Sequence, residues 1–333
     1  MLFSKTKKDQ KIKIVTIGGG AGSFTLLSEL KKYPNLDITA VVTMFDSGGS
    51  TGVLMDQYGV LPAGDIRQCL VALSPDSDFL RKLFLHRYEE GFLEGHSFGN
   101  IFISTIEKIT GSIEKSIKET SSILNIKGRI LPITLKKAKL VIQKNDKLIE
   151  SEAEIDNANI LNYQKYYLDK KVKLNEKIIK RIKEADYIVI APGNFYCSIL
   201  PNFLVQNFAK EIKKSKAKKI MIANLVTKSG HTDNFKVSDF VKELYKTSKE
   251  DDFLDYIFVN KNTEIPENLQ KAYKKEKAEM ITSLGDKDFL KNIKIIQKNY
   301  LSNKAVKYSK SDKVKRSLVR HGAKKLIKDI LSL

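Results

Sequence analysis

Ile12-Lys-Ile-Val-Thr-Ile17, followed at once by Gly18-Gly-Gly-Ala-Gly22-Ser23, is the stretch whose reading decides the fold. Five of the first six residues are β-branched, the composition of a strand. The glycines then let the chain turn tightly and take up positive φ. Apolar residues recur at helical spacing over 24–33, Pro34-Asn35 ends that run, and a second strand follows at 38–43. Strand, glycine turn, helix and strand make a βαβ unit, in which the strands run parallel with a right-handed crossover. The strands are continuously apolar rather than alternating, so the sheet should be covered on both faces. The expected class is α/β: a Rossmann-like, doubly wound, mostly parallel sheet.

Working outward, helices are expected over 66–73, 78–88, 98–109 and 113–124. Residues 128–170 change character. Strand-like runs at 129–135, 139–143 and 147–155, with a turn at Asn145-Asp146, predict an inserted, small antiparallel β lobe. The α/β pattern resumes with strands at 187–190, 219–223, 256–259 and 293–296 and a helix after Pro201. Residues 303–333 should form a C-terminal amphipathic helix packed on the body, helical over 313–333 with Val319, Leu326, Ile327 and Ile330 on one face. At 333 residues, the chain is read as one Rossmann-like domain, 1–333, carrying the lobe.

Composition excludes several classes. No apolar run reaches eighteen residues, so no membrane insertion is expected. The lysine-rich N-terminus is no secretory signal. Two distant cysteines, Cys69 and Cys197, fit buried thiols in a reducing compartment, and a cytoplasmic location follows. Four scattered histidines give no zinc spacing. The net charge of +20 invites a nucleic-acid partner, but only seven of the 59 basic residues are arginine and the lysines spread along helix faces. The excess reads as solvated surface. Self-association is left open.

Six loops could carry chemistry. Gly18, Gly19, Gly20, Gly22 and Ser23 sit where a strand opens onto a helix, and backbone N–H groups at a helix N-terminus attract phosphate. The dinucleotide fingerprint is incomplete, because Ser23 stands where its last glycine belongs. A tight turn without ligand is the alternative reading. The second loop holds Asp46, Gly48, Gly49 and Ser50. Asp46 could face a ribose or a divalent metal, and the small residues could donate to phosphate. In the third, Asp65 could cap a helix or bind metal or ligand, with Arg67 as a phosphate clamp. The fourth offers His96 and Asn100, with a helix entry capped by Ser97 as the plainer reading. The fifth is Gly193, Asn194, Tyr196 and Ser198. The sixth, 224–233, includes Thr227. No nucleophile–histidine–acid spacing stands out.

In their order, Gly-Gly-Gly-Ala-Gly at 18–22, Asp46-Ser-Gly-Gly-Ser-Thr-Gly52, Leu61-Pro-Ala-Gly-Asp-Ile-Arg67, Gly95-His-Ser-Phe-Gly-Asn100 and Pro192-Gly-Asn-Phe-Tyr-Cys-Ser-Ile-Leu-Pro-Asn202 resemble the gluconeogenesis factor family. That family lies within a wider group that includes the 2-phospho-lactate transferase CofD. The resemblance runs from about residue 12 to 330. It implies a Rossmann-like fold, a nucleotide-sugar ligand such as UDP-N-acetylglucosamine, and a regulatory role in cell shape and envelope synthesis during gluconeogenic growth. Tyr273 and Arg320 look like the family's ligand contacts. No settled reaction comes with this branch, so binding rather than turnover is expected. The transferase branch would instead imply movement of a phospho-lactyl-like group from a guanylyl donor to a deazaflavin, with a divalent metal. An NAD(P)-binding enzyme is a further alternative. The chain departs from the family pattern at Ser47, where a second aspartate is usual, at Ala21 for threonine, and at His231 for glutamate. The first departure weakens a metal site built on Asp46 and Asp65.

Overall fold

A computed structural model describes residues 11–75, 78–302 and 318–333. Strand β1 (Ile12–Ile17), helix α1 (Gly20–Leu30) and strand β2 (Leu36–Val42) form the βαβ unit. Helices α2 (Gly49–Tyr58), α3 (Gly64–Leu73), α4 (Asp78–Leu85), α5 (Phe98–Thr110) and α6 (Ile113–Ile123) lead to β3 (Arg129–Pro132). Next come β4 (Leu140–Lys144), β5 (Lys147–Ile149), α7 (Glu152–Asn157) and β6 (Lys165–Leu168). Helix α8 (Glu176–Glu184) returns the chain to β7 (Tyr187–Ile190), which opens onto a π turn, Phe195–Ile199. The remainder is α9 (Leu200–Phe203), α10 (Phe208–Lys214), β8 (Lys218–Ile222), α11 (Val237–Ser248), β9 (Tyr256–Asn260), α12 (Glu267–Glu276), β10 (Lys294–Lys298) and α13 (Ala323–Leu331).

Seven strands make one sheet in the order β10-β9-β8-β7-β1-β2-β3, and every pairing in it is parallel. The chain first winds from β1 through β2 to β3, then crosses to β7 on the other side of β1. The winding direction therefore reverses between β1 and β7, and in open α/β sheets ligands bind at the carboxyl end of such a switch point. Ile14, Val15 and Ile17 of β1 and Ile188, Val189 and Ile190 of β7 are buried, as a sheet covered on both faces requires. Helix α3 is buried along its length, with α1 packed on it. Its Cys69, like Cys197 of the π turn, is a free thiol whose pKa burial pushes up.

Four local expectations change. Residues 129–132, expected in the lobe, form β3 and pair with β2 at the edge of the main sheet, so the antiparallel sheet is β5-β4-β6 alone. Only Lys147–Ile149 of the run 147–155 is strand. Ser151 then caps α7, its hydroxyl oxygen accepting the Glu154 N–H at 3.0 Å. The second glycine loop is the first turn of α2, ended by Gly59 at φ +68°. The C-terminal helix begins at Ala323, after Gly322, and Val319 packs instead with Leu225, Tyr273 and Ala278. The rest of the expected amphipathic stretch, through 317, lies outside the described residues. Among the described residues no helix is long and apolar enough to cross a membrane.

Candidate functional site

Beyond the carboxyl ends of β1, β2, β7 and β8 lies a crevice of about 870 Å³. Its floor is the first turn of α1. Gly20, at φ +63°, and Gly22 line it. A β-carbon on Gly22 would stand 1.8 Å from the Pro192 carbonyl oxygen. Glycine here lets the β1 and β7 loops meet backbone to backbone at the switch point. Asn224 locks the second of those loops, accepting the Gly193 N–H at 3.1 Å and donating to the Gly193 carbonyl at 2.9 Å.

The wall on the β2 side is the start of α2. Asp46 Oδ1 accepts the Gly48 N–H at 2.9 Å. Gly49 takes φ +49°, with nothing within 4 Å of where a β-carbon would be. Ser50 Oγ lies 3.2 Å from His96 Nδ1 and accepts the Ser97 N–H at 3.3 Å. Asn100 donates to Thr51 Oγ1 at 3.3 Å and accepts from Arg67 Nε at 2.8 Å. Arg67, expected to clamp phosphate, is buried and also gives Nη1 to the Phe84 carbonyl at 3.3 Å. Its first task is thus to tie α3 to α5. Asp65 accepts the Gly20 N–H at 2.7 Å. Among the described residues no group of three His, Cys, Asp or Glu side chains is arranged to hold a metal ion. Asp46 and Asp65, the metal candidates, each hold a backbone N–H.

Asn194, Tyr196 and Ser198 of the turn after β7, with Thr227 of the loop after β8, form the opposite wall. Thr227 Oγ1 accepts the Glu279 N–H at 2.9 Å. Tyr273 and Arg320 reach the same crevice. The buried Tyr273 hydroxyl accepts the N–H groups of Leu318 at 2.7 Å and Val319 at 2.9 Å, which pins the segment carrying Arg320. The crevice thus brings together Gly20, Gly22, Asp46, Gly48, Gly49, Ser50, Asp65, Arg67, His96, Asn100, Gly193, Asn194, Tyr196, Ser198, Thr227, Tyr273 and Arg320. Gly18, Gly19 and Ser23 stand outside its lining. Gly18 donates its N–H to the Val41 carbonyl at 3.1 Å, Gly19 presses on the Asp65 carboxylate, and Ser23 is buried beside Gly18.

Sequence reading missed the contribution of α7, which brings Glu152 and Asp156 into the crevice. The signal was present: Ser151 and Glu154 at a spacing of three are a helix-start signature. The Ser47 hydroxyl accepts the Glu152 N–H at 2.9 Å, docking α7 on the second glycine loop. Burial pushes the Glu152 carboxyl well above its usual range, and the adjoining Asp46 charge and hydrogen bond add to the shift. Asp156 Oδ1 accepts from Asn194 Nδ2 at 2.6 Å and pairs with Lys228. His231, buried nearby, is pushed down to about 4 by burial and then by the Lys228 charge. His321, whose Nε2 lies 3.2 Å from the Ala223 carbonyl, is likewise lowered to about 4, chiefly by burial.

The strand order and the crevice at its reversal define a Rossmann-like α/β protein. The family model described as 2-phospho-L-lactate transferase CofD matches residues 14–301. A putative gluconeogenesis factor of Aquifex aeolicus is 39% identical over 97% of this chain and 97% of its own. The gluconeogenesis factor of Bacillus subtilis is 34% identical over 97% of this chain and 98% of its own. A crystal structure of a UPF0052 family protein from Bacillus halodurans superposes with a TM-score of 0.85 at 33% identity, covering 96% of this chain and 99% of that one. The chain belongs to the CofD family, among its gluconeogenesis factors.

Proposed function

We propose that the protein binds a UDP-sugar of the UDP-N-acetylglucosamine type in this crevice. As a cytoplasmic regulator it would report that ligand to cell-shape and envelope synthesis during gluconeogenic growth. The observation that carries the reading is the convergence of two helix starts, α1 at Gly20 and α2 at Gly49, on one crevice at the switch point. Each start offers backbone N–H donors and the positive end of a helix dipole, a pair of sites suited to the two phosphates of a nucleotide diphosphate. The crevice volume falls in the range of small-molecule sites, and the hydroxyl and amide side chains in its lining, such as Thr51, Asn100, Asn194, Ser198 and Thr227, can orient a nucleoside and a sugar. Binding without turnover suits these walls, since both cysteines are buried with raised pKa and Asp46 and Asp65 hold backbone groups.

Thermal-shift titration with UDP-N-acetylglucosamine, UDP-glucose, UDP, GDP and NADP tests the reading. Stabilisation led by the UDP-sugars supports it, and no stabilisation by any UDP compound at millimolar concentration overturns it. The match to the CofD transferase model favours a second reading, transfer of a phospho-lactyl-like group from a guanylyl donor. That reading predicts preference for GDP over UDP and dependence on a divalent cation.

A further inference from the structure

Where α7 meets the turn after β7 and the loop after β8, the crevice wall carries buried hydrogen-bonding atoms that the protein leaves unmatched. Asn194 gives Nδ2 to Asp156 Oδ1 at 2.6 Å. A carboxylate only accepts, so the donor end of the amide must face Asp156 and Oδ1 must point away from it. That Oδ1 is buried and has no partner among the described residues. His231 is 2% exposed, and among the described residues neither of its ring nitrogens makes a hydrogen bond of good geometry. Its ring stands edge-on to Tyr196, with centroids 6.1 Å apart, and the Ile155 and Asp156 backbone groups are weak hydrogen-bond partners beside it. Both residues line the crevice. Burial and Lys228 hold His231 uncharged near neutral pH, so it presents one N–H donor and one acceptor nitrogen.

This chemistry discriminates between the parts of a ligand. A diphosphate at neutral pH has acceptors and negative charge. Here it would meet the acceptor Oδ1 and an Asp156 carboxylate whose charge is balanced by Lys228, whereas the starts of α1 and α2 offer it donors and a positive dipole end. A sugar carries hydroxyl groups, and an acylamino sugar an amide N–H, all able to donate to Oδ1. Buried polar atoms are rarely left unmatched.

We propose that Asn194 and His231 form the sugar subsite, in which Asn194 Oδ1 accepts from a hydroxyl or acylamino N–H while His231 exchanges a hydrogen bond with a neighbouring hydroxyl. This rests on the nucleotide-sugar reading and sets the ligand's direction, with the diphosphate on α1 and α2 and the sugar towards α7. Asp156 is then a positioning residue that fixes the Asn194 amide. His231 determines specificity for a neutral, hydroxyl-bearing group.

Calorimetric titration of UDP and of UDP-N-acetylglucosamine into the wild-type chain, His231→Phe, His231→Gln and Asn194→Ala provides the test. The quantity read is the ratio of the two affinities. The wild type should favour the UDP-sugar, and His231→Phe and Asn194→Ala should each cut that preference about tenfold, the loss of one well-made hydrogen bond. His231→Gln, which keeps a donor and an acceptor, should restore part of it. If His231→Phe does not fold, the glutamine and alanine variants still read the same ratio. A wild type that binds UDP and gains nothing from the sugar, or variants that weaken both ligands equally, overturns the subsite and leaves nucleotide binding standing. A wild type that binds neither ligand overturns the nucleotide-sugar reading itself, and the subsite with it.

Discussion

The Gly20 N–H donates to Asp65 Oδ1 across 2.7 Å, and that bond joins the first turn of α1 to the first turn of α3. The carboxylate also fills the space beside Gly19, where a β-carbon would stand 1.8 Å from Asp65 Oδ2. Asp65 therefore shapes the glycine loop from behind, and Gly19 is glycine because Asp65 is there. Removing the carboxylate in Asp65→Ala is expected to lower stability by about 1.5–3 kcal/mol, the range for a hydrogen bond to a charged group. Gly19→Ala should be severe alone and milder in the Asp65→Ala background. Chemical denaturation of the two single variants and the double variant measures the coupling, and additive losses would refute it.

Gly22 and Gly49 are glycines for different reasons, and alanine should tell them apart. At Gly22 the new β-carbon would meet the Pro192 carbonyl at 1.8 Å, backbone against backbone. Gly22→Ala should therefore separate the β1 and β7 loops and lower the melting temperature strongly. At Gly49 nothing lies within 4 Å, and only the left-handed backbone is strained. Gly49→Ala should cost about 1 kcal/mol and leave the fold intact. Thermal melts of both check this, and equal losses would show that the close approach at Gly22 does not govern stability.

The buried histidines give stability a pH dependence. His231 and His321 have folded pKa values of about 4, against an ordinary 6.5. The unfolded chain takes up these protons first, so their contribution is full above pH 6.5 and is lost as the pH falls towards 4. Glu152, raised above 4.5, acts in the opposite sense: its contribution is present at low pH and lost as the pH rises through its folded value. Melting temperatures followed from pH 7 to 4.5 should fall less steeply for His231→Phe than for the wild type. Parallel slopes would mean that His231 titrates normally in the folded chain.

The Asn100 side chain joins Arg67 to Thr51, and so ties α3 and α5 to α2. Asn100→Ala should leave Arg67 Nε without its acceptor in a buried site, with a loss of about 1–3 kcal/mol. Asn100→Asp, which keeps an acceptor facing the guanidinium, should lose less in a denaturant titration. The reverse order would show that the bond to Thr51 carries the interaction.

The β1–α1–β2 unit was legible because β-branched strands, a glycine turn and an apolar helical period all point the same way over thirty residues. The loops arriving at the carboxyl edge were legible for a related reason, since each follows a strand or opens a helix. Helix α2 was obscured by its own chemistry. Gly49 and Gly52 lower helix propensity, and it is the extended backbone at Gly48 and the left-handed Gly59 that set its ends. Strand β3 looked like part of the lobe because its pairing with β2 is a contact across about ninety residues, which no local pattern encodes. Glu152 and Asp156 are hidden in the sequence because the strand-like run from 147 continues without a break through the Ser151 cap to 155. Gly18, Gly19 and Ser23 cannot be separated from Gly20 and Gly22 in the sequence, because it shows proximity along the chain, not which side of a turn faces the crevice.

Whether the crevice holds a nucleotide-sugar on the start of α2 is decided by calorimetric titration of UDP-N-acetylglucosamine into the wild-type chain and into Gly49→Ala, because Gly49 opens α2 on the crevice wall. One-to-one binding to the wild type is expected, and binding weakened about tenfold by a variant that remains folded, because the new β-carbon would stand on the crevice wall where a phosphate must approach the backbone. No binding to the wild type at millimolar ligand, or equal affinity for the two proteins, would contradict it.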